Sequence, residues 1–306
     1  MRYAIFGFST PNLGDDIQAL AAALLLPKVD AYVDRDRLNK VRLSEPHHLI
    51  MNSWFAIKRF DAVPSKSIIP HYFGHCIGRP ELLNETWFSE WRKRSSIGCR
   101  DEYSVSCLQE RGIDAYFTGC LTTYMGRFFH FPKKREGIIF VDVPESMERF
   151  IPSKIRNRAR RITNETAKGN ANQHDRFKRL AEICDILRCA EMVVTRRLHT
   201  ALPCIGFETP VTVFLEGSEK NRRRFSGSDR LLPMIFHDGT NPLDNPEWIE
   251  PTTVAIPEYM ERHFQTLLDK LGTDRERRWN SMEEFITTLP NVARYPRGLL
   301  GKIPSL

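Results

Sequence analysis

Short apolar runs that each give way, within a few residues, to a helical stretch constrain this chain more than any other feature of its sequence. Tyr3-Ala4-Ile5-Phe6-Gly7-Phe8 has the uninterrupted apolar character of a strand buried on both faces. The turn-rich Ser9-Thr10-Pro11-Asn12-Leu13-Gly14 follows, and a helix opens at Asp15-Asp16 and runs through Ile17, Leu20, Ala21 and Leu24. Its two acids stand in the first turn, where they complement the helix dipole. The same order recurs, with strands expected at 48–52, 67–70, 96–99 and 115–117 and a helix at 101–111. After the charged turn Lys133-Lys134-Arg135-Glu136 a second series begins. It reads as a strand at 137–142, helices at 153–168 and 175–188 around the polar segment 169–174, a strand at 191–195, a short helix at 198–206 and a strand at 211–215. Helices at 256–271 and 281–289 and an irregular tail at 295–300 close the chain. Strand–helix alternation in both halves predicts an α/β protein with two mainly parallel sheets. The break is expected near 130–136, which divides the chain into 1–132 and 133–306, with the C-terminal helices packing back on the first domain. Open parallel sheets bind ligands beyond the carboxyl ends of their strands, so the site is expected in the cleft between the domains.

Composition removes several other classes. The 306 residues are 41% hydrophobic, enough for a sizeable core, yet no run of eighteen apolar residues exists to span a bilayer. The opening residues turn polar by Asn12 and lack the long apolar core of a secretion signal. The expectation is a soluble, unprocessed, cytoplasmic protein. Its seven cysteines include no C-x-x-C pair, which fits scattered thiols in a reducing compartment rather than a disulfide frame or structural zinc. The net charge is +7, and residues 133–179, with 13 basic and 6 acidic side chains, carry a net +7 by themselves. Basic surfaces of this kind attract polyanions, nucleic acid or anionic lipid head groups.

Three strand-to-helix junctions hold polar residues that a scaffold does not require. In Asn12-Leu13-Gly14-Asp15-Asp16-Ile17-Gln18, Gly14 permits close backbone approach, and the helix start offers N–H donors. Asp15 and Asp16 oppose an anion at that point and favour a hydroxyl. The alternative is a capped helix with a solvated acidic turn. In Gly98-Cys99-Arg100-Asp101-Glu102, Arg100 ends a buried strand beside a helix start, a directional site for carboxylate or phosphate unless it merely pairs with Asp101. In Thr195-Arg196-Arg197-Leu198-His199, two guanidiniums and an imidazole leave a strand end, and His199 can move protons near neutral pH. The junction around Gly119-Cys120 is weaker, because no base is in view to activate the Cys120 thiol.

Taken together, these blocks resemble the polysaccharide pyruvyl transferase family. The resembling segments are the opening strand with Asn12-x-Gly14-Asp15-Asp16-x-Gln18, then Arg100-Asp101-Glu102-Tyr103-Ser104, and Thr195-Arg196-Arg197-Leu198-His199, spaced by Gly112–Ala115 and Glu208–Val211. The resemblance implies two Rossmann-like domains in a GT-B-type arrangement. It also implies transfer of the enolpyruvyl unit of phosphoenolpyruvate to a sugar as a cyclic pyruvate ketal, with phosphate released. Carried over, His199 and Arg197 become the catalytic pair, and Arg100, Arg197 and His199 the donor ligands, with Arg196 as the ambiguous neighbour. Asn12, Gly14, Asp15, Asp16 and Gln18 would lie on the acceptor side or across the cleft, in a first domain on the acceptor side and a second on the donor side. The residue chemistry agrees, since a small trianion with separated carboxylate and phosphate suits two arginines. The segment 216–228 is a further candidate to reach the cleft, with Arg224 or Arg230 on phosphate.

No H-E-x-x-H, paired-cysteine or paired-carboxylate pattern calls for a metal, and no G-x-G-x-x-G or P-loop calls for a nucleotide cofactor. The rival enzyme reading is a GT-B-type glycosyltransferase with a nucleotide-sugar donor, in which Glu208 or Glu216 would hold the ribose. A nucleic-acid or membrane-surface binder would use Lys154, Arg156, Arg158, Arg160 and Arg161 together with Lys220-Asn221-Arg222-Arg223-Arg224. No nucleic-acid motif accompanies that charge, so nucleic acid is not an expected partner. In the enzyme reading the same clusters and Leu299-Leu300 would dock at the inner face of the cytoplasmic membrane, against an acceptor linked to a polyprenyl diphosphate.

Overall fold

The computed structural model describes residues 1–8, 10–56, 63–94, 96–166, 173–237 and 246–290. The first half runs β1 (Tyr3–Gly7), α1 (Leu13–Leu25), β2 (Ala31–Asp34), β3 (His47–Ile50), β4 (Trp54–Phe55), β5 (Ile68–His71), β6 (Cys76–Ile77), α2 (Glu85–Arg92), β7 (Ile97–Cys99), α3 (Glu102–Gln109) and β8 (Ala115–Phe117). A 3-10 helix, Leu121–Phe128, then leads out of it. The second half runs β9 (Ile138–Val141), α4 (Glu145–Glu148), α5 (Ser153–Arg156), β10 (Ala159–Ile162), α6 (Gln173–Cys189), β11 (Met192–Thr195), α7 (Leu198–Gly206), β12 (Val211–Glu216), α8 (Glu219–Arg224) and β13 (Met234–His237). Helices α9 (Glu258–Leu271) and α10 (Met282–Ile286) follow.

Two parallel sheets result, one in the order β2-β1-β3-β5 and one in the order β10-β9-β11-β12-β13. β7 and β8 pair in parallel, and backbone bonds from Gly98 N to Tyr72 O and from His75 N to Gly98 O tie that ladder to the segment after β5. The central strands of the second sheet, β9, β11 and β12, read apolar because both faces are covered. Ile139, Val141, Val193 and Val213 face the main core, while Ile138, Phe140, Val194 and Phe214 face a second cluster with Met147, Ile151 and Ile155. Period-two alternation between two buried faces is what a central parallel strand requires.

Helix α1 is buried along its whole length, which explains why its sequence is apolar on every side from Ala19 onward. It packs against α6, α7 and the 3-10 helix. The 3-10 helix and α7 touch backbone to backbone: a Cβ on Gly126 would sit 1.7 Å from Gly206 O, and one on Gly206 2.4 Å from Thr123 O. Helix α9 lies against first-half residues. Tyr3 Oη donates to Leu271 O, Tyr124 Oη to Met260 O, and Phe264 stacks on Tyr124 with centroids 4.0 Å apart.

The expected helix at 153–168 is corrected: α5 stops at Arg156 and the chain turns into β10, the edge strand beside β9. Few apolar residues follow Ile155 to hold a helix down. Arg160 and Arg161 suit an edge, where charge discourages further pairing. Strands β2 and β13 and helix α2 had no counterpart in the sequence reading. The tail at 295–300, Leu299 and Leu300 included, lies outside the described residues. No described helix is long and apolar enough to cross a membrane.

Candidate active site

The three junctions converge at the carboxyl ends of the two sheets. Asn12 caps α1, its Oδ1 accepting from Gly14 N at 3.0 Å. This cap sets the helix start against α7, where a Cβ on Gly14 would lie 3.3 Å from His199 Cβ. Asp15 accepts from Thr10 Oγ1 at 2.9 Å and lies 3.9 Å from the buried guanidinium of Arg35. Asp16 turns away into the core, where Arg176 grips it through two donors and Gln173 Nε2 donates at 2.6 Å. Burial raises the Asp16 carboxyl to about 6 against the pull of Arg176, so it is ionised at neutral pH. Gln18 is also in the core: its side-chain amide makes no hydrogen bond within the protein, and its backbone carbonyl accepts from Asn52 Nδ2.

Arg100 follows β7 and is 3% exposed. Its backbone N–H donates to His75 O, its Nη2 to Cys76 Sγ, and its Nε lies 3.6 Å from Asp101 Oδ2 with no hydrogen bond of its own. Asp101 caps α3, accepting from Ser104 N at 2.8 Å. His199 sits in the first turn of α7 at φ −81° and ψ 16°, a local departure from helical backbone. Its Nε2 is buried without a hydrogen bond. Burial first, then the charges of Arg100 and Arg224, hold its pKa well below the usual histidine range. The imidazole is therefore neutral at physiological pH.

Arg224, at the end of α8, completes this group. Its Nε is shut from solvent with no hydrogen bond, its guanidinium lies 5.3 Å from the Trp54 ring centroid, and no described carboxylate forms an ion pair with it. Burial, then Arg100, lowers its pKa, although an arginine stays protonated at any ordinary pH. Arg197 is placed differently. Its Nε donates to Asp142 Oδ2 at 2.9 Å and its Nη2 to Glu165, so two carboxylates already meet its charge at the edge of the cluster. Arg196 is exposed and lines a small polar cavity with Arg197, Glu216 and Arg224. Arg230 pairs with Glu102.

The geometry thus gathers Arg100, His199, Arg224 and Asp15, with Arg197 and Arg196 at the rim and Asp16 and Gln18 in the core. Cys120 is buried with its thiol pKa raised. A larger depression of about 520 Å³ lies at the far end of α7 and includes Glu208 but none of the clustered residues. Glu216 is at the rim beside Arg196. The basic clusters are largely engaged: Arg158 pairs with Glu191, Arg161 with Glu148, Arg223 with Glu219, and Arg222 lies over Phe236. Sequence reasoning did not select Trp54, Cys76 or Arg35, and only chain folding brings them to the site. Among the described residues no group of three or more potential ligands could hold a metal.

Parallel sheets with polar groups gathered at their carboxyl edges define an α/β protein, and such strand ends are where open parallel sheets place their ligand sites. Residues 12–218, well over half of the chain, match the polysaccharide pyruvyl transferase family, and the chain belongs to that family. No curated protein matches it. Among solved structures, a functionally uncharacterised protein from Klebsiella pneumoniae is similar at 14% identity, covering 73% of this chain and 87% of that one with a TM-score of 0.42. The E. coli heptosyltransferase WaaC with ADP is similar at 12% identity, covering 88% of this chain and 99% of that one with a TM-score of 0.31.

Proposed function

We propose that the protein transfers pyruvate from phosphoenolpyruvate to a sugar of a polysaccharide or its lipid-linked repeat unit, forming a cyclic ketal and releasing phosphate. The observation that carries this reading is the buried cationic pair Arg100 and Arg224, each with an unbonded Nε, beside a neutral His199. Arg100 has only the 3.6 Å contact with Asp101 and Arg224 pairs with no described carboxylate; buried cations so weakly met are costly, and a small polyanion is the ligand that would offset them. Two guanidiniums match a carboxylate and a phosphate held on one small molecule. His199 would then handle the proton delivered to the enol carbon as a sugar hydroxyl attacks C2. A second hydroxyl displaces phosphate, so one hydroxyl proton ends on the new methyl group and the other on the phosphate. Preorganised arginines stabilise the charge that develops. No metal or organic cofactor enters this scheme.

The fold reading that accompanies it is a pair of Rossmann-like units in a GT-B-type arrangement, 1–132 toward the acceptor and 133–306 toward the donor. Its setting would be the cytoplasm, at the inner face of the membrane, with Lys154 and Arg160 as exposed cations. Calorimetric titration with phosphoenolpyruvate, inorganic phosphate and a uridine nucleotide-sugar tests the activity. Phosphoenolpyruvate is expected to bind selectively, and Arg100→Lys and His199→Asn to weaken it. Preference for the nucleotide-sugar would instead make the protein a glycosyltransferase.

A further inference from the structure

Beside the buried cluster, a cavity of about 360 Å³ opens between α8 and the first half of the chain, within the range that small-molecule sites occupy. Trp54, Tyr103 and Asp101 form one side, with Lys220, Arg223 and Arg224 on the other. Trp54 is clamped in place: the guanidinium of Arg224 covers its ring, and Gly78 lies so close that a Cβ there would be 2.5 Å from Nε1. Arg223 is likewise set over Tyr103, 5.0 Å from the centroid. Such fixed rings give the cavity apolar walls against which the C–H groups of a pyranose can pack.

The charges of this cavity do not cancel. Arg223 is met by Glu219, and Arg79 lies 3.8 Å from Glu81. Lys220 and Arg224 pair with no described carboxylate, and the remaining acid, Asp101, already lies 3.6 Å from Arg100, so the cavity is left positive. Three residues, Cys76, Asp101 and Arg224, belong both to this cavity and to the surroundings of Arg100. A guanidinium only donates, and burial holds the Cys76 thiol protonated despite the neighbouring Arg100. Asp101 is therefore the strong acceptor at the junction. It is 1% exposed; its Oδ1 is committed to the α3 cap, and its Oδ2 makes no hydrogen bond of good geometry.

We propose that this cavity seats an anionic sugar, with a ring hydroxyl donating to Asp101 Oδ2 and the sugar's negative group held by Lys220, while Arg224 at the back of the cavity stays with the donor. Its role as the acceptor rests on the pyruvyl-transfer reading; the sugar chemistry rests on the cavity itself. A carboxylate and a phosphate on the sugar are equivalent for this purpose, and the test separates them.

The full-length protein, saturated with phosphoenolpyruvate so that phosphate groups cannot compete for Arg100, is titrated with methyl glucoside, methyl glucuronide, glucose 1-phosphate and uridine diphosphate. At least one charged sugar is expected to bind on the order of tenfold more tightly than methyl glucoside. Lys220→Glu is expected to erase that preference while phosphoenolpyruvate still binds. Asp101→Asn keeps an oxygen for the helix cap and is expected to weaken all three sugars. A preference for glucuronide or for glucose 1-phosphate supports the proposal and identifies the source of the charge. Equal binding of charged and neutral sugars, no binding of any sugar, or tighter binding of uridine diphosphate than of either charged sugar overturns it. If the wild type fails to bind phosphoenolpyruvate, the donor reading falls separately, and the charge preference is then read from the same titrations without it.

Discussion

His199 shows how strongly burial sets chemistry at the residue scale. With Arg100 and Arg224 as its charged neighbours it is neutral when the site holds only protein, because both its burial and their charges oppose a proton. A bound trianion reverses the sign of that local field. Binding of phosphoenolpyruvate is therefore expected to draw up to one proton onto the site at pH 7. Calorimetry in two buffers of different ionisation enthalpy measures this uptake, and His199→Asn should abolish it. The arginines are expected to differ in a similar way. Arg224→Ala should weaken donor binding by about 10- to 100-fold, the worth of one charged hydrogen-bonded contact. Arg197→Ala should cost less, since Asp142 and Glu165 already occupy that guanidinium; parallel titrations check the ranking. Arg100 and His199 were legible in the sequence because a charged residue at the end of an apolar strand has few structural reasons to be there. Arg224 was named in the sequence only as an alternative to Arg230 for phosphate, because nothing local marks which arginine of that segment turns inward; in the structure Arg230 pairs with Glu102 instead. Asp16 was misleading: its acidic neighbour and its place in the first turn fit a solvated cap, yet Arg176, far along the chain, draws it into the core.

Helix α1 is the element on which the two halves depend. It is buried on every side, and the Asp16–Arg176 pair joins it to α6. Asp16→Asn leaves that guanidinium buried without its counter-ion and is expected to cost about 3–5 kcal/mol, read from urea unfolding. The 3-10 helix and α7 meet where neither can carry a Cβ. Gly126→Ala drives a methyl carbon into Gly206 O; since backbone is the obstacle, the expected loss is about 3 kcal/mol or more, with a displaced His199 as its functional sign. Most elements were readable from apolar period and turn chemistry, α7 and β8 to the residue. β10 was not, because its side chains are basic and its strand character comes from β9 alongside, a contact invisible in a local window.

Across the whole molecule, the pH dependence of stability adds several buried groups with opposite signs. His75, enclosed by Phe55, Tyr72 and Trp91, is depressed to about 3 by burial, and His71 to about 4; His199 is lower than usual as well. Each binds a proton in the unfolded chain near pH 6.5 but not in the fold, so stability is fully present above that pH and falls below it. Asp16, raised to about 6, acts the other way, binding its proton in the fold first and recovering part of the loss between pH 6 and 4. These four groups alone leave the unfolded chain holding about two more protons than the folded one near pH 5, a contribution of about 2.7 kcal/mol per pH unit to the slope. Urea midpoints between pH 7 and 5 measure it. Arg224 has one more consequence at this scale. It borders both the outer cavity and the polar cavity of Arg196 and Arg197 while bearing on the buried Arg100 and His199. One guanidinium therefore couples the two, and a donor that neutralises it leaves less charge for an anion in the outer cavity. Initial rates should show it: raising phosphoenolpyruvate is expected to raise the apparent KM for a charged sugar and to leave that for a neutral one unchanged.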